Sequence, residues 1–522
     1  MSITTRFPKI PEEQITPVVA ELLELIQLQM DEIQFLRDEI ARLKGQKPKP
    51  NIKPSRLEKA SKRSAIKKRK KRPKKSKKIE IHEVVPIKPD NIPEGSRLKD
   101  YQEYVVQDIV LGNWNTCYRR QRWQTPSGEY ILGQLPEYVK GSHFGSTLTA
   151  FILYQYHGCH VTQPLIQEQL HELGVSISTG QINNIIINNK ERFHDEKDQI
   201  LSTGLKVSPY INVDDTGARH NGRNGYCTHI GNEYFAWFKS TDSKSRINFL
   251  NLLRCEYTDF VLNDQGLSYM AEQKFPKYQL AKLSCYKGKT FKNENRWNNF
   301  LKRQRIKSGH HHRIATEGAL LGSITHYGFN PNLAIISDDA GQFNVFLHGL
   351  CWVHAERTIQ KLVGYNDHQN KLLEKTKTNI WKFYRALKRY RRNPSESQKL
   401  KLETRFDSIF TRKTGFASLD IALKRIYQNK SELLLVLSRP DVPLHNNLSE
   451  RDIREYVKKR KISGSTRSDT GKKCRDTFTS LKKTCRKLGV SYWQYLIDRI
   501  EYQNKYPPLA EIMEYQASRS VG

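Results

Sequence analysis

The stretch INVDDTG, residues 211–217, is a short apolar run that leads directly into two aspartates. A second stretch, IISDDAGQF at residues 335–343, repeats this form with Asp338 and Asp339. Apolar runs of this length are typical of buried strands, and ligands of an α/β sheet bind at the carboxyl ends of its strands. We therefore predict an α/β fold with Asp214 and Asp338 at strand ends. Each Asp-Asp pair could equally be an ordinary turn, because aspartate is favoured there.

A third acid, Glu450, stands at the head of a basic helix in LHNNLSERDIREYVKKRK, residues 444–461. One interpretation is a capping box, with Asn447 as the N-cap and Glu450 as the third helical residue. The other is that Glu450 joins Asp214 and Asp338 as a metal ligand. Mg²⁺ prefers carboxylate oxygens and keeps water and phosphate as further ligands. Two such ions about 3.5–4 Å apart would suit phosphodiester cleavage and transfer.

The chain of 522 residues has a formal net charge of +34, and about half of that charge lies in one stretch. Residues 44–78 contain 18 lysines and arginines and one acid, Glu58. Excess positive charge on the remainder as well indicates a polyanionic partner, DNA or RNA. The start of the chain has no apolar signal core, and no run approaches the ~18 apolar residues of a membrane span. We therefore expect a cytoplasmic protein with no membrane partner.

Three blocks of this sequence resemble the catalytic blocks of bacterial transposases of the insertion-sequence-sixty-six family. They are VDDTGARHNGRNGYCTHIG (213–231), IISDDAGQF with LCWVHAERTIQKL (335–362) and HNNLSERDIREYVKKRKISGS (445–465). The resemblance extends over about residues 140–505. It implies a DDE-type enzyme with an RNase H-like mixed-sheet core, which uses two Mg²⁺ ions, or Mn²⁺ in their place.

The resemblance also implies which acids are catalytic and hold the metal: Asp214, Asp338 and Glu450. Asp215 is then a neighbour of the first acid, and Asp339 is the alternative for the second.

The same resemblance marks His354, Arg357 and Arg451 as supporting positions near phosphate or the carboxylates. His354 could as well be a buried structural histidine.

Two departures from the family pattern affect the prediction. The family commonly has a cysteine zinc module before the core, whereas residues 81–135 contain only Cys117. The eight cysteines of the chain are scattered singly, without a Cys-x-x-Cys pair, so we expect no zinc. The second departure is spacing: 112 residues separate Asp338 from Glu450, which indicates a helical insertion into the core.

These patterns divide the chain into seven predicted segments. They are a coiled-coil-like helix (1–45), a disordered basic linker (46–80), a small strand-rich module (81–135), a helix-turn-helix-like module (136–205), the first part of the RNase H-like core (206–350), a helical insertion (351–440), and the catalytic helix with C-terminal helices (441–522). The first helix has heptad spacing, which indicates a weak dimer, or else one amphipathic helix packed on its own body. The fourth segment could also be an ordinary helical hairpin.

Basic residues in two segments are expected to contact DNA phosphates without recognising sequence. They are Lys67, Lys68, Arg69, Lys70, Lys71 and Arg72 in the linker, and Arg454, Lys458, Lys459, Arg460 and Lys461 after Glu450.

We predict a transposase that binds transposon ends and target DNA as a homo-oligomer, most simply a dimer, with accessory proteins of the same element as further partners. The alternatives are an inactive DNA-binding relative and an RNase H-like nuclease without strand transfer.

Overall fold

The computed structural model describes residues 81–85, 111–135, 143–307, 309–330 and 332–519, with single positions between 16 and 29 and at 104 and 106. The predicted N-terminal helix (1–45) and basic linker (46–80) therefore lie outside the described residues, apart from those single positions. This also applies to the six linker residues from Lys67 to Arg72.

A small hairpin and a group of helices precede the main sheet. Strands β1 (Arg122–Gln124) and β2 (Tyr130–Leu132) pair antiparallel around a turn formed by Pro126, Ser127 and Gly128. Four α-helices follow, with a π-helical turn, Tyr154–Gly158, directly after the first. They are α1 (Ser146–Leu153), α2 (Gln163–Glu172), α3 (Thr179–Ile187) and α4 (Glu191–Val207). The hydroxyl of Ser178 and the side chain of Gln181 form a capping box at the start of α3, which fixes the turn between α2 and α3.

The centre of the molecule is a five-stranded mixed sheet, which confirms the mixed α/β class. Its members are β3 (Tyr210–His220), β4 (Arg223–Gly231), β5 (Ala236–Thr241), β8 (Ala334–Ser337) and β9 (Leu347–Leu350). The strand order is β5-β4-β3-β8-β9. The first three strands pair antiparallel, whereas β3, β8 and β9 run parallel. This arrangement is consistent with a DDE-type, RNase H-like core.

The prediction that β3 ends at Asp214 was wrong. The strand continues to His220 because β4 pairs with it along that length, from Asn212 to His220. Its parallel partner β8 accompanies it only as far as Asn212. Asp214 therefore lies within a strand, but at the level where the parallel half of the sheet ends.

Between β5 and β8 the chain forms five helices and a two-stranded ribbon on one face of the sheet. The helices are α5 (Arg246–Leu253), α6 (Asp264–Glu272), α7 (Lys277–Ser284), α8 (Glu294–Arg303) and α9 (Gly309–His326). The ribbon pairs β6 (Phe260–Val261) with β7 (Thr290–Phe291). A Cβ atom at Gly322 of α9 would collide with the carbonyl oxygen of Val261, so the glycine permits this close approach.

The region after β9 is helical, as predicted for the insertion. It contains α10 (Trp352–Gln360), α11 (Asp367–Tyr390), α12 (Glu396–Phe410), α13 (Ala417–Gln428), α14 (Lys430–Leu433) and α15 (Leu435–Ser438). Side chains of β8 alternate between two cores: Ile335 joins the main core, and Ile336 joins the core of the insertion around Trp352 and Phe383. The sheet is therefore covered on both faces.

Four helices complete the chain: α16 (Asn447–Ser463), α17 (Asp469–Leu488), α18 (Tyr492–Glu501) and α19 (Leu509–Ser518). Helix α17 lies along the outer edge of β5. Its residues Asp476, Ser480 and Thr484 accept hydrogen bonds from the backbone N–H groups of alternate β5 residues, at distances of 2.6, 2.9 and 3.2 Å. The edge strand thus has its outward-facing donors satisfied by side chains of a helix.

Candidate active site

Asp214 and Asp338 lie side by side because of the parallel register of β3 and β8. Asn212 pairs with Ile336, so two residues further along each chain bring Asp214 next to Asp338. Asp338 directly follows the last residue of β8, Ser337. The sheet therefore places both predicted acids at the point where the parallel pairing of β3 and β8 ends.

The carboxylate of Asp214 is half-buried and is held by the backbone of the next residue. Its Oδ1 accepts a hydrogen bond from the N–H of Asp215 at 2.8 Å. Burial and the negative charge of Asp338 raise the pKa of Asp214 to about 7, against the opposing hydrogen bond, and Glu450 adds to the rise. The three acids therefore share one electrostatic environment.

Asp338 and Asp339 have different surroundings. The Oδ1 atom of Asp338 accepts from the N–H of Ala340 at 3.2 Å, within the loop beside Asp214. Asp339 contacts the insertion: Arg425 Nη2 lies 3.5 Å from its Oδ2, and Asn429 Nδ2 donates to Oδ1 at 3.4 Å. This geometry favours Asp338 as the partner of Asp214.

The capping-box prediction for Glu450 was wrong. Helix α16 begins at Asn447, so Glu450 is the fourth helical residue and Asn446 is the N-cap, without a capping hydrogen bond from its side chain. The Asn446 side chain docks the helix on β3 instead. Its Nδ2 donates to the carbonyl of Val213 at 2.7 Å, and its Oδ1 accepts from Asn212 Nδ2 at 2.8 Å.

This docking fixes Glu450 opposite the strand that carries Asp214. The Asn446 N–H also donates to the Cys351 thiol at 3.1 Å, which attaches the same turn to the start of α10. Neither Asn212 nor Cys351 was predicted to act at the site. The signal available for Asn212 was a polar residue between apolar neighbours in INV.

Glu450 faces two of the predicted supporting residues. His354 Nε2 lies 3.6 Å and Arg357 Nη1 lies 3.8 Å from its Oε1. This oxygen is buried and accepts no hydrogen bond from the described residues. Arg451, by contrast, is exposed on α16, and among the described contacts it pairs with none of the three acids.

The protonation of His354 depends on the acids around it. Burial favours the neutral ring, but Cys351 and the charges of Glu450 and Asp338 outweigh burial and raise the pKa of His354 to about 9. Arg357 Nη1 lies 3.0 Å from His354 Nε2, and a guanidinium can donate only to a neutral ring nitrogen. The raised pKa favours the protonated ring of His354, whereas the contact with Arg357 requires the neutral ring. Neutralising the carboxylates would lower this pKa and so favour the contact with Arg357.

Asp215 forms a second connection between the acid-bearing elements. Its Oδ1 accepts from the Thr228 hydroxyl of β4 at 2.5 Å, and its Oδ2 accepts from Gln342 Nε2 at 3.0 Å. Gln342 belongs to the loop after Asp338. Sequence analysis treated Asp215 only as a neighbour of Asp214, whereas it braces β3 against the loop of the second acid.

The three acids have the chemistry of a magnesium site but do not form a closed ligand set. Within the described part of the chain, no group of three or more carboxylate, imidazole or thiol side chains converges at metal-binding geometry. Two features of the acids still fit a cation: the buried oxygen of Glu450 that accepts no hydrogen bond from the described residues and the raised pKa of Asp214. Side-chain rotations would be needed to bring the carboxylates onto a common ion.

The basic residues after Glu450 do not all share one exposed face. Arg454, Lys458 and Lys461 are exposed and Arg460 is half-buried. Lys459 is only 2% exposed, and its Nζ donates to the Tyr156 carbonyl at 2.6 Å above the Tyr156 ring. Lys459 therefore joins α16 to the π-helical turn and is not part of a DNA-contacting surface.

Among the described residues, we find no helix with the length and apolar character required to cross a membrane.

Two comparisons with known proteins identify the family of this chain. Residues 335–474, which contain Asp338, His354 and Glu450, match the Transposase IS66 family. The chain is also 43% identical over 321 residues to Uncharacterized protein y4jO of Sinorhizobium fredii (strain NBRC 101917 / NGR234). That alignment covers 61% of this chain and 100% of the relative. The chain therefore belongs to the IS66 family of transposases.

Proposed function

We propose that this transposase binds the ends of its mobile element and performs metal-dependent DNA strand cleavage and strand transfer with Asp214, Asp338 and Glu450. The observation that carries the proposal is the docking of α16 on β3 by Asn446, which sets Glu450 against the two aspartates. Each acid comes from a different element, and each element is held to another by a hydrogen bond. An RNase H-like core accounts for the strand order and for this placement.

In this proposal the protein orients a DNA strand and stabilises charge. Divalent cations, Mg²⁺ or Mn²⁺, would activate the attacking oxygen and stabilise the leaving oxygen of the phosphodiester. Asp214, Asp338 and Glu450 would hold them. Arg357 and His354 lie beside Glu450 and would keep its carboxylate oriented. No side chain acts as a nucleophile, so the 3′-hydroxyl of the cleaved strand attacks the target DNA directly.

We further propose that the active form is a homo-oligomer, most simply a dimer, that holds two transposon ends. The heptad spacing within residues 15–43 supports this, since about four heptads suffice for a weak coiled coil. Accessory proteins of the same element would act at the assembly step. The exposed residues Arg454, Lys458 and Lys461 would follow the DNA backbone away from Glu450.

The test uses purified protein and labelled linear DNA that carries the ends of its own element, with Mg²⁺ or Mn²⁺. Asp338→Asn should abolish nicking and joining while DNA binding remains. Asp339→Asn is the matched control, since it makes the same change one residue away and should retain most activity.

Binding without cleavage by the wild-type protein would contradict the proposal and favour an inactive DNA-binding relative. Cleavage without joining would instead favour a nuclease. If Asp339→Asn were inactive and Asp338→Asn active, the assignment of the second acid would be reversed.

A further inference from the structure

Helix α11 of the insertion carries a continuous stripe of basic side chains on its exposed face. The stripe consists of six exposed residues: Lys371, Lys375, Lys382, Arg385 and Arg389 on the helix, and Arg392 just beyond its last residue, Tyr390. The five helical members follow one another at spacings of three, four and seven residues, which places them on one face. From Lys371 to Arg389 the stripe is roughly 27 Å long at ~1.5 Å per residue.

The charges of the stripe are not neutralised within the described part of the chain. None of the six residues forms an ion pair there. Among the described contacts, one of the six, Arg385, lies over an aromatic ring, that of Trp381, at 4.4 Å. The nearest acid on the helix, Glu374, pairs with Lys377 instead. The insertion as a whole has 20 lysines and arginines against eight acids between residues 351 and 440. Like charges in such a row repel one another and destabilise the folded protein unless a polyanion binds to them.

The neighbouring helix has a different charge pattern. Helix α12 has acids along its whole length, at Glu396, Glu403 and Asp407, among its basic residues. Such mixing is ordinary for a solvated helix. On α11 the acids Asp367 and Glu374 lie in the first turns, whereas every charged residue of the helix from Lys375 onwards is basic.

The stripe also leads towards the candidate active site. Arg391, next to its last member, donates to the carbonyls of Pro440 and Asp441 at 3.0 and 3.1 Å. That segment continues directly into Asn446 and the helix of Glu450. A duplex lying along α11 would therefore approach the turn that positions the third acid.

We propose that the α11 stripe binds the phosphate backbone of duplex DNA, without base recognition, and so holds the duplex beside the reacting strand. The inference rests on the proposed transposase function, because it takes duplex DNA as the polyanion. Lysine and arginine contacts to phosphate release counterions, so this binding depends steeply on salt. The insertion then contacts DNA in addition to the linker and α16.

The experiment measures affinity for a duplex of unrelated sequence at several salt concentrations, with the full-length protein. The test variant is Lys375→Gln/Lys382→Gln/Arg389→Gln, three positions at seven-residue spacing that form no ion pair with the described residues. Each phosphate contact contributes about 0.9 to the slope of log affinity against log salt. The variant should therefore lower the magnitude of this slope by about 2 to 3.

The matched control is Lys401→Gln/Lys413→Gln/Lys424→Gln, which removes the same charge from exposed positions of the same insertion. Its slope should change by less than about 1. Equal changes in both variants would overturn the inference, because overall charge would then account for them. An unchanged slope in the stripe variant would overturn it as well.

The proposed function and this inference can fail separately. If the wild-type protein cleaves and joins DNA but the stripe variant binds with an unaltered slope, only the inference fails. If the stripe variant loses slope but the wild-type protein cleaves no DNA, the inference stands and the proposed chemistry fails. The thermal unfolding midpoint of each variant must match that of the wild type, and a stripe variant that unfolds earlier is replaced by Lys371→Gln/Lys382→Gln.

Discussion

Replacing Asn446 with alanine should loosen the head of α16, because this side chain makes both hydrogen bonds that dock the helix on β3. The bonds to Val213 and from Asn212 are 2.7 and 2.8 Å long, and both asparagines are 1% exposed. A buried group left without its partner costs about 1–3 kcal/mol, and Asn446→Ala strands two. We therefore expect the free energy of local opening at α16 to fall by roughly 2–4 kcal/mol.

Amide hydrogen exchange measures this free energy segment by segment. The expected loss corresponds to roughly 30- to 700-fold faster exchange in the first turns of α16, since about 1.4 kcal/mol is a factor of ten. Helix α19 (Leu509–Ser518) serves as the internal control, because it packs against α4 and α17 and should be unaffected. Strand cleavage should fall together with protection, because Glu450 then loses its fixed position.

A double-mutant cycle with Asn212→Ala separates the docking bond from other effects. The two changes remove a shared hydrogen bond, so the double variant should lose about 0.5–1.5 kcal/mol less than the sum of the single losses. Additive losses, or a change in α16 exchange below about threefold, would refute the assignment of Asn446 as the docking residue.

Three further predictions concern other parts of the structure. Burial lowers the pKa of Lys459 to about 7, so above that pH the folded state binds fewer protons than the unfolded state. The free energy of unfolding should therefore rise from pH 7 to pH 10, and urea denaturation should show a larger rise in the wild type than in Lys459→Met. Gln342→Ala should reduce the cleavage rate about 3- to 10-fold, because one hydrogen bond to Asp215 is worth about 0.5–1.5 kcal/mol. A rate that stays reduced at saturating Mg²⁺ would show that the positioning of Asp215 is lost and not the affinity for the metal. Ser480→Ala leaves the N–H of Phe238 without its acceptor and should lower the free energy of unfolding by about 1–3 kcal/mol; an unchanged urea midpoint would contradict this.

The sequence was sufficient to predict the elements that carry the three acids, for a physical reason. Buried strands such as AIIS require apolar runs, and Asp338 follows directly because a charge cannot continue into the core. Strand pairing was not predictable in the same way. The extension of β3 beyond Asp214 depends on β4, and no local pattern in DDTGARH indicates that partner.

The local rules failed where tertiary contacts replaced them. Asn447 and Glu450 fit the capping-box pattern, but Asn446 used its side chain on β3, and this shifted the helix start by one residue. Lys459 looked like a member of a basic face, yet helical spacing sets it with Glu455 and Tyr456 on the buried side. A lysine is expected at the surface unless its ammonium finds a partner, and the Tyr156 carbonyl that accepts from it lies far away in the sequence.

The helix that lies along β5 determines whether another strand could add to this edge of the sheet. An open edge strand is a template for a strand from another molecule, and many complexes form by strand addition at such an edge. Here Asp476, Ser480 and Thr484 already accept hydrogen bonds from the donors of β5, so an incoming strand would first have to displace α17. Another molecule that approaches this edge must therefore contact α17 and not β5, and the β5 edge is protected from β-aggregation.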